Sequence, residues 1–193
     1  RRFYSSVLKA QEMIKMDGGV TSFNFEFTEW TDKVKNHIKN SRVLENWFLA
    51  NSSHVIDLAF FLGGKPKKFH SYAEGGNDWH PDATVFAGAG TTQKGALFSY
   101  QANWDAPGRW GVDILTCKYR YIFQPLEKLQ VQKLNSIHTE NVDFDDLLDI
   151  DFKPGIYRQT KSFLKEDASP ALLDIHEHYE NVTACYEKIV SPI

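Results

Sequence analysis

The middle of the chain is a series of short apolar segments separated by turns of Gly, Pro, Asn and Asp, and this series most constrains the fold. The segments cover residues 68–73, 83–87, 96–104, 112–116, 119–124 and 129–133. Connections this short favour antiparallel pairing, because parallel neighbours need a crossover of a dozen or more residues. An earlier segment, 20–30, alternates Phe23, Phe25 and Phe27 with polar residues, as a half-buried strand does. The sequence therefore predicts one large, mostly antiparallel sheet.

Helical segments precede and follow the predicted strands. Apolar spacing predicts helices over 1–16, 53–62, 156–164 and 170–189. Asn51-Ser52-Ser53 predicts an N-cap for the second helix, and Ser169-Pro170 predicts the start of the last one. Residues 31–40 predict a polar loop, and residues 141–153 an irregular segment. The expected fold class is α+β, with a large, mostly antiparallel open sheet and helices packed on one face in two layers.

Composition and charge exclude several classes of protein. With 193 residues, of which 42% are hydrophobic, the chain can form one domain with a sizeable core. The net charge of −3 lacks the basic footprint of nucleic-acid binding, so no nucleic-acid partner is expected. The aspartates within 143–151 indicate a solvated loop face. The longest apolar run, 55–62, is too short to span a bilayer, so no membrane partner is expected.

Two cysteines and the first residue indicate the setting of the chain. Cys117 and Cys185 follow no spacing pattern, which is typical of reduced thiols in a cytoplasmic protein. The chain begins with Arg1 and not Met, and we expect it to be a fragment of a longer protein.

A glycine pattern in the strand-rich region resembles a nucleotide-binding loop. Gly88-Ala89-Gly90-Thr91-Thr92-Gln93 begins like a dinucleotide fingerprint, but its sixth residue is neither Gly nor Ala. The residues that follow alternate like a strand, whereas a pyrophosphate needs the N-terminus of a helix after the glycines. These glycines are therefore predicted to form a hairpin turn, and this chain is expected to bind no nucleotide cofactor itself.

His54 and Asp57 lie three residues apart at the predicted start of the helix over 53–62, so they share a face. The positive end of a helix favours a neutral imidazole, which can hydrogen-bond a substrate hydroxyl or transfer its proton. The alternative is a core histidine that hydrogen-bonds to Asp57 or to the backbone.

Other motifs carry weaker signals. Trp104, Arg109 and Trp110 share one loop, and could stack on a sugar and bind an anion; the alternative is a strand connection with partly buried aromatic residues. His176-Glu177-His178 does not predict a metal site, because helical residues two apart point in different directions. No metal ion is expected.

Three segments carry a resemblance to a known family. Residues 51–64, which read Asn-Ser-Ser-His-Val-Ile-Asp-Leu-Ala-Phe-Phe-Leu-Gly-Gly, resemble a helix in the C-terminal domain of the Gfo/Idh/MocA oxidoreductase family. Arg1-Arg2-Phe3-Tyr4 resembles the crossing into that domain, and Gly155-Ile156-Tyr157-Arg158-Gln159 resembles the helix that returns toward the active site. Together with the closing helix, the resemblance covers nearly the whole chain.

The resemblance implies a two-domain enzyme whose N-terminal Rossmann domain binds NAD or NADP and carries a catalytic lysine. Residues 1–193 then form the C-terminal substrate-binding and oligomerisation domain, and the Rossmann domain is absent. The implied catalytic residue is His54, and the expected substrate-binding residues are Asn51, Asp57, Trp104, Arg109, Trp110 and Tyr157. Many members carry an Asp four residues before this His, but Ala50 stands there, so Asn51 or Tyr157 is a candidate for the missing polar group.

The expected function is that of an NAD(P)-dependent dehydrogenase or reductase acting on a hydroxyl or keto group of a sugar or nucleotide sugar. This chain alone is expected to be inactive, and to form a homo-oligomer through the exposed face of its sheet. One alternative is a non-catalytic binding or oligomerisation module with the same fold. Another is a metal-dependent hydrolase that uses the histidines.

Overall fold

The structure is a computed structural model that describes residues 1–165 and 169–191. In chain order, the strands are β1 Ser22–Glu26, β2 Pro66–Glu74, β3 Val85–Thr92, β4 Leu97–Asn103, β5 Gly111–Leu115, β6 Tyr119–Phe123, β7 Gln130–Lys133 and β8 Thr139–Asn141. Within the described residues these eight strands form one sheet in the order β2-β3-β4-β1-β5-β6-β7-β8. Neighbours are antiparallel except for β1 and β4, which are parallel. The predicted α+β fold class with a mostly antiparallel open sheet is confirmed.

The helices lie before, between and after the strands in the chain. They are α1 Ser5–Met16, α2 Thr31–His37, α3 Ser41–Glu45, α4 Ser53–Gly63, α5 Leu147–Asp151, α6 Ile156–Leu164, α7 Ile175–Asn181 and α8 Glu187–Val190. A π-helical turn, Phe48–Ser52, leads directly into α4, and a second, Val182–Tyr186, joins α7 to α8. Helix α4 packs on β1 and β5, and α8 packs on β2 and β3.

The core lies between α4 and the central strands. Phe23 and Phe25 of β1 point inward, and the ring of Phe60 on α4 meets them edge-on at centroid distances of 5.8 and 5.6 Å. On the opposite face of the sheet, Ser99 and Gln101 of β4 are exposed. This alternation of buried and exposed residues fixes the register, because a shift of one residue would turn the phenylalanines to solvent.

Several local predictions were wrong, mostly where distant contacts decide the backbone. Residues 31–40 are not a loop, since α2 occupies most of them, with Val34 buried and Thr31 Oγ1 donating to the carbonyl of Trp104 at 2.6 Å. The last helix starts at Ile175 and not at 170, because the side chain of Asp174 caps it by accepting from the amide of His176.

The segment 141–153 is more ordered than predicted. It contains α5, and β8 ends at its first residue. Asp149 does not face solvent: it accepts from the amides of Ser5 and Gly155 at 2.7 and 3.1 Å and pairs with Arg158. This carboxylate therefore joins the start of α1 to the start of α6.

The N-cap predicted at residues 51–53 is wrong. Ser52 has helical dihedral angles, φ −64° and ψ −28°, because the helical backbone already begins at Phe48. The hydroxyl of Ser53 donates to the carbonyl of Leu49 at 2.6 Å, and so bonds back along the helix. The sequence signal was misleading because neither serine caps the helix: Ser53 bonds within it, and Ser52 bonds to a residue outside it.

The glycine pattern at residues 88–90 lies inside β3, so the predicted hairpin turn is misplaced. The turn is at residues 93–95, where Gly95 has φ +88°. Glycine is required in the strand for space: a Cβ at Gly88 would overlap the ring of Tyr100, and a Cβ at Gly90 would overlap the backbone of Lys68.

Candidate functional site

The inward side of β1 continues past the end of the strand to a carboxylate. After Phe23, Phe25 and Phe27, the next residue with the same period is Glu29, and only 1% of its surface is exposed. An ionised carboxylate buried this deeply needs hydrogen-bond donors or a cation around it.

Four side chains supply those donors. Glu29 Oε1 accepts from Asn51 Nδ2 at 3.0 Å, Ser52 Oγ at 2.7 Å and Trp110 Nε1 at 3.1 Å. Its Oε2 accepts from a terminal nitrogen of Arg109 at 3.2 Å. These five residues are called the Glu29 cluster below. Burial raises the pKa of Glu29, while the hydrogen bonds and the charge of Arg109 act to lower it.

Aromatic rings hold the arginine of the Glu29 cluster in place. The guanidinium carbon of Arg109 lies 4.8 Å from the centroid of Trp30 and 4.6 Å from that of Trp110. Trp110 also contacts Arg1, whose guanidinium carbon is 5.5 Å from the ring centroid. Cation–π contacts of this kind fix the plane of a guanidinium group.

His54 follows Asn51 by three residues, so it lies on the same side of the helix as the Glu29 cluster. His54 is exposed, and within the described residues its ring makes no hydrogen bond to Asp57 or to the backbone, so the alternative of a core histidine is wrong. Although one side of the imidazole faces solvent, the protein around the rest of it removes hydrating water, and this desolvation lowers the pKa of His54; the charge of Arg1 lowers it further. Desolvation and the charge of Arg1 therefore favour the neutral imidazole. A position at the start of a helix is not the cause, because the helical backbone begins earlier, at Phe48.

Asp57 lies three residues beyond His54 and is engaged by an arginine. Arg2 donates to both oxygens of Asp57, at 2.8 and 2.6 Å. The side chain of Asp57 is 18% exposed and that of Arg2 is 12% exposed. Asn51, His54 and Asp57 thus form a polar stripe along one side of the helix, in which His54 is the member without a fixed partner among the described residues.

The remaining predicted site residues differ in their placement. Trp104 is buried, donates to the carbonyl of Phe27 at 3.2 Å and stacks on Trp79, so it lies beneath the site. It also lines a cleft of about 560 Å³ between Glu29, the start of α2 and the 104–107 segment. Tyr157 is half-exposed on α6, where its ring centroid lies 5.0 Å from that of Phe152, and in the described structure it makes no hydrogen bond to the Glu29 cluster.

Sequence reasoning missed Glu29, Ser52 and Trp30. The period of two along β1 carried the signal for Glu29, because continuing it places a carboxylate in line with three buried phenylalanines. Ser52 was noticed only as a cap, and its partner Glu29 is 23 residues away in the chain.

The glycine motif at residues 88–93 does not have the structure of a dinucleotide-binding loop. A pyrophosphate is bound by free backbone amides at the start of a helix. Gly88 and Gly90 instead lie in the middle of a strand that pairs on both sides. Within the described part of the chain, no group of three or more metal-ligating side chains comes together. None of the helices described there combines the length and apolar character needed to cross a membrane.

These features define the chain as an α+β open-sheet domain with a polar site beyond one end of its central strand. No protein-family model matches it, and no curated protein matches it in sequence. Solved structures do. A chain from Desulfitobacterium hafniense, named as a candidate NADPH-dependent oxidoreductase, matches with a TM-score of 0.69 at 16% identity, over 97% of this chain and 60% of that one.

Two further structures match over smaller parts. Levoglucosan dehydrogenase in complex with NADH and levoglucosan has a TM-score of 0.58 at 18% identity, over 75% of this chain and 45% of that one. UDP-N-acetylglucosamine 3-dehydrogenase from Acidithiobacillus ferrooxidans has a TM-score of 0.59 at 14% identity, over 86% and 50%. The structural neighbours are Gfo/Idh/MocA-type oxidoreductases. The region whose fold this chain shares lies mostly in their C-terminal part. The predicted resemblance is confirmed at the level of the fold, and the chain spans 60% or less of the length of these three structures.

Proposed function

We propose that residues 1–193 are the substrate-side domain of an NAD(P)-dependent oxidoreductase that acts on a hydroxyl or keto group of a sugar or nucleotide sugar. The proposal depends mainly on one observation: His54 is exposed, has a lowered pKa and follows Asn51 of the Glu29 cluster by three residues on the same side of the helix. The fold shared with oxidoreductases supports the same proposal. NAD or NADP supplies the hydride acceptor in this enzyme and is held by a nucleotide-binding domain outside these residues.

In this proposal the chain binds the sugar and handles the proton. His54 is the catalytic residue: its neutral imidazole accepts the proton of a sugar hydroxyl, or returns it in the reverse direction. Within the residues that the structure describes, the amide oxygen of Asn51 accepts no hydrogen bond while its Nδ2 donates to Glu29, so this oxygen can accept a hydrogen bond from a second hydroxyl. It takes the polar role that the family assigns to the position of Ala50.

The other predicted substrate-binding residues differ in how directly they act on the substrate. Arg109 and Trp110 border the substrate directly, and Trp104 shapes the floor of the adjoining cleft. Asp57 acts indirectly, by holding Arg2 in place. Tyr157, on α6, contacts the bound substrate. We further propose that the protein is cytoplasmic. Cys117 and Cys185 are not joined to each other, and both would stay reduced there.

We also propose that the protein is a homo-oligomer through the open face of its sheet. Side chains on this face, such as Ala87, Ala89 and Ser99, are small and exposed, which suits the close approach of a second copy.

Turnover by the full-length gene product tests the proposal. The protein is mixed with NAD⁺ or NADP⁺ and a panel of sugars and nucleotide sugars, and the formation of reduced nicotinamide is followed by absorbance. We expect turnover with at least one substrate, its near-complete loss in His54→Ala, and wild-type rates in His138→Ala, which removes an exposed histidine from the β7–β8 connection. A protein that binds a sugar without any turnover would instead favour the non-catalytic module.

A further inference from the structure

Arg109 is anchored on one side and free on the other. One terminal nitrogen donates to Glu29, and the rings of Trp30 and Trp110 cover the guanidinium plane. Within the described residues, its Nε and second terminal nitrogen have no hydrogen-bond acceptor, and 40% of the side chain is exposed. The group therefore presents a fixed edge with unused donors to the solvent.

Such an edge is suited to one kind of ligand. A guanidinium group offers two parallel N–H donors whose spacing matches two oxygens of a phosphate or carboxylate. Because the anchor and the rings already hold the side chain, little rotamer freedom remains to be lost on binding.

Two more cations extend the arrangement on both sides of Arg109. Lys33 Nζ lies 3.9 Å from the ring centroid of Trp30, and Arg1 lies over Trp110. Cations and indole rings thus alternate in the order Lys33, Trp30, Arg109, Trp110, Arg1. Among the residues that the structure describes, Glu29 is the one carboxylate in an ion pair with any of these cations. A ligand with more than one negative charge would offset their repulsion.

We propose that the substrate is a phosphate ester of a sugar and that Arg109 binds its phosphate group. This rests on the proposed function and narrows it, because a neutral sugar has no charge for this edge. Asn51 and Arg109 share Glu29 as their acceptor, and His54 follows Asn51 by three residues. A phosphate bound at Arg109 therefore leaves the attached sugar on the side of His54. A sugar monophosphate and a nucleoside diphosphate sugar both provide this chemistry.

The test is a binding titration of the full-length protein by calorimetry, with saturating NAD⁺ so that a dinucleotide site elsewhere is filled. The probes are glucose, glucose 1-phosphate and UDP-glucose. The variants are Arg109→Ala, Arg109→Lys and the control Arg120→Ala, which removes an equally charged, half-exposed side chain paired with Asp113 on the open face of the sheet. Arg109→Lys keeps the charge without the fork, and it decides the matter if circular dichroism shows that Arg109→Ala is unfolded.

We expect at least one phosphorylated probe to bind more tightly than glucose, and its affinity to fall about tenfold or more in Arg109→Ala and less in Arg109→Lys. Arg120→Ala should bind as wild type does. Preference for UDP-glucose over glucose 1-phosphate identifies the nucleotide as the source of the phosphate, and the opposite preference identifies the monophosphate. Equal affinity of wild type and both Arg109 variants, or no binding of either phosphorylated probe, overturns the inference. Turnover of an uncharged sugar that persists in Arg109→Ala would leave the proposed function standing while this inference fails.

Discussion

The central strand β1 has a buried carboxylate before it and another after it, and the two differ in how their cationic partners are held. The side chain of Asp17 is 7% exposed; it accepts from Thr116 Oγ1 at 2.8 Å and from the hydroxyl of Tyr121 at 2.7 Å, and its Oδ1 lies 3.6 Å from Nζ of Lys118, whose side chain is 57% exposed. Glu29 accepts from four side chains, and its cationic partner, Arg109, is also covered by the rings of Trp30 and Trp110. A buried carboxylate with a cation beside it therefore does not by itself indicate a functional site; a cation that its neighbours hold in one orientation does.

The largest expected effect is on turnover, and it comes from the side of the Glu29 cluster. Substituting His54→Ala should lower turnover by about 10²–10⁴-fold, because this is what a positioned general base contributes. Steady-state kinetics on the full-length protein measures it. The melting temperature should stay near that of wild type, since His54 is exposed. A rate that stays within a few-fold of wild type would remove His54 from the mechanism.

Removing the carboxylate after β1 should affect both stability and binding. Glu29→Ala leaves four donors without their acceptor, at a cost of about 3 kcal/mol in the free energy of unfolding. Urea titration of both variants and wild type measures it. The matched control, Glu29→Gln, keeps one oxygen as an acceptor but turns an amide toward Arg109, so it should lose substrate affinity with a smaller loss of stability. Equal substrate affinity in Glu29→Gln and wild type would contradict a positioning role.

Removing the carboxylate before β1 should affect stability alone. Asp17→Ala leaves the hydroxyl of Tyr121 without its acceptor, removes one of the two acceptors of Thr116 Oγ1 and removes the ion pair with Lys118, and we expect about 1–3 kcal/mol less stability. Turnover per folded molecule should be unchanged, because no partner of Asp17 lies in the Glu29 cluster. A changed Michaelis constant in this variant would show that the two ends of β1 are coupled.

The smallest effect concerns pH. Because burial and the charge of Arg1 lower the pKa of His54, the neutral base persists below the usual histidine value of about 6.5, and kcat/KM should fall only as the pH drops further. Removing the Arg1 charge favours the imidazolium form. Arg1→Gln should therefore move the acid limb of the profile toward higher pH, and a shift toward lower pH would rule out this assignment.

The sequence predicted the parts of the fold that depend on local pattern. Alternation identified β1, the turn residues between short segments identified β2 to β7, and apolar spacing identified α4 and α6. The position of β1 between β4 and β5 was not predictable, because pairing over such distances leaves no local signal. Helix α2 was missed for a related reason: its sequence is polar, and Val34 alone anchors it in the core.

The site was predicted in part. The helix spacing that joined His54 and Asp57 also places them along one side in the structure, and Asn51, which the family resemblance suggested, lies on the same side. The prediction omitted Glu29, although it continues a visible period, because a single acidic residue is usually a solvated one. The ion pair between Arg2 and Asp57 joins residues 55 positions apart, and no spacing rule reports such a pair.

The insertion of β1 between β4 and β5 also sets the order in which the chain can fold. Ser22 pairs with Leu97 on one side and with Leu115 on the other, so both neighbours are made long after β1 itself. Closing loops of this size costs entropy before any contact is gained, which slows folding. During synthesis, the phenylalanines of β1 must wait for the second half of the protein before the middle of the sheet can assemble.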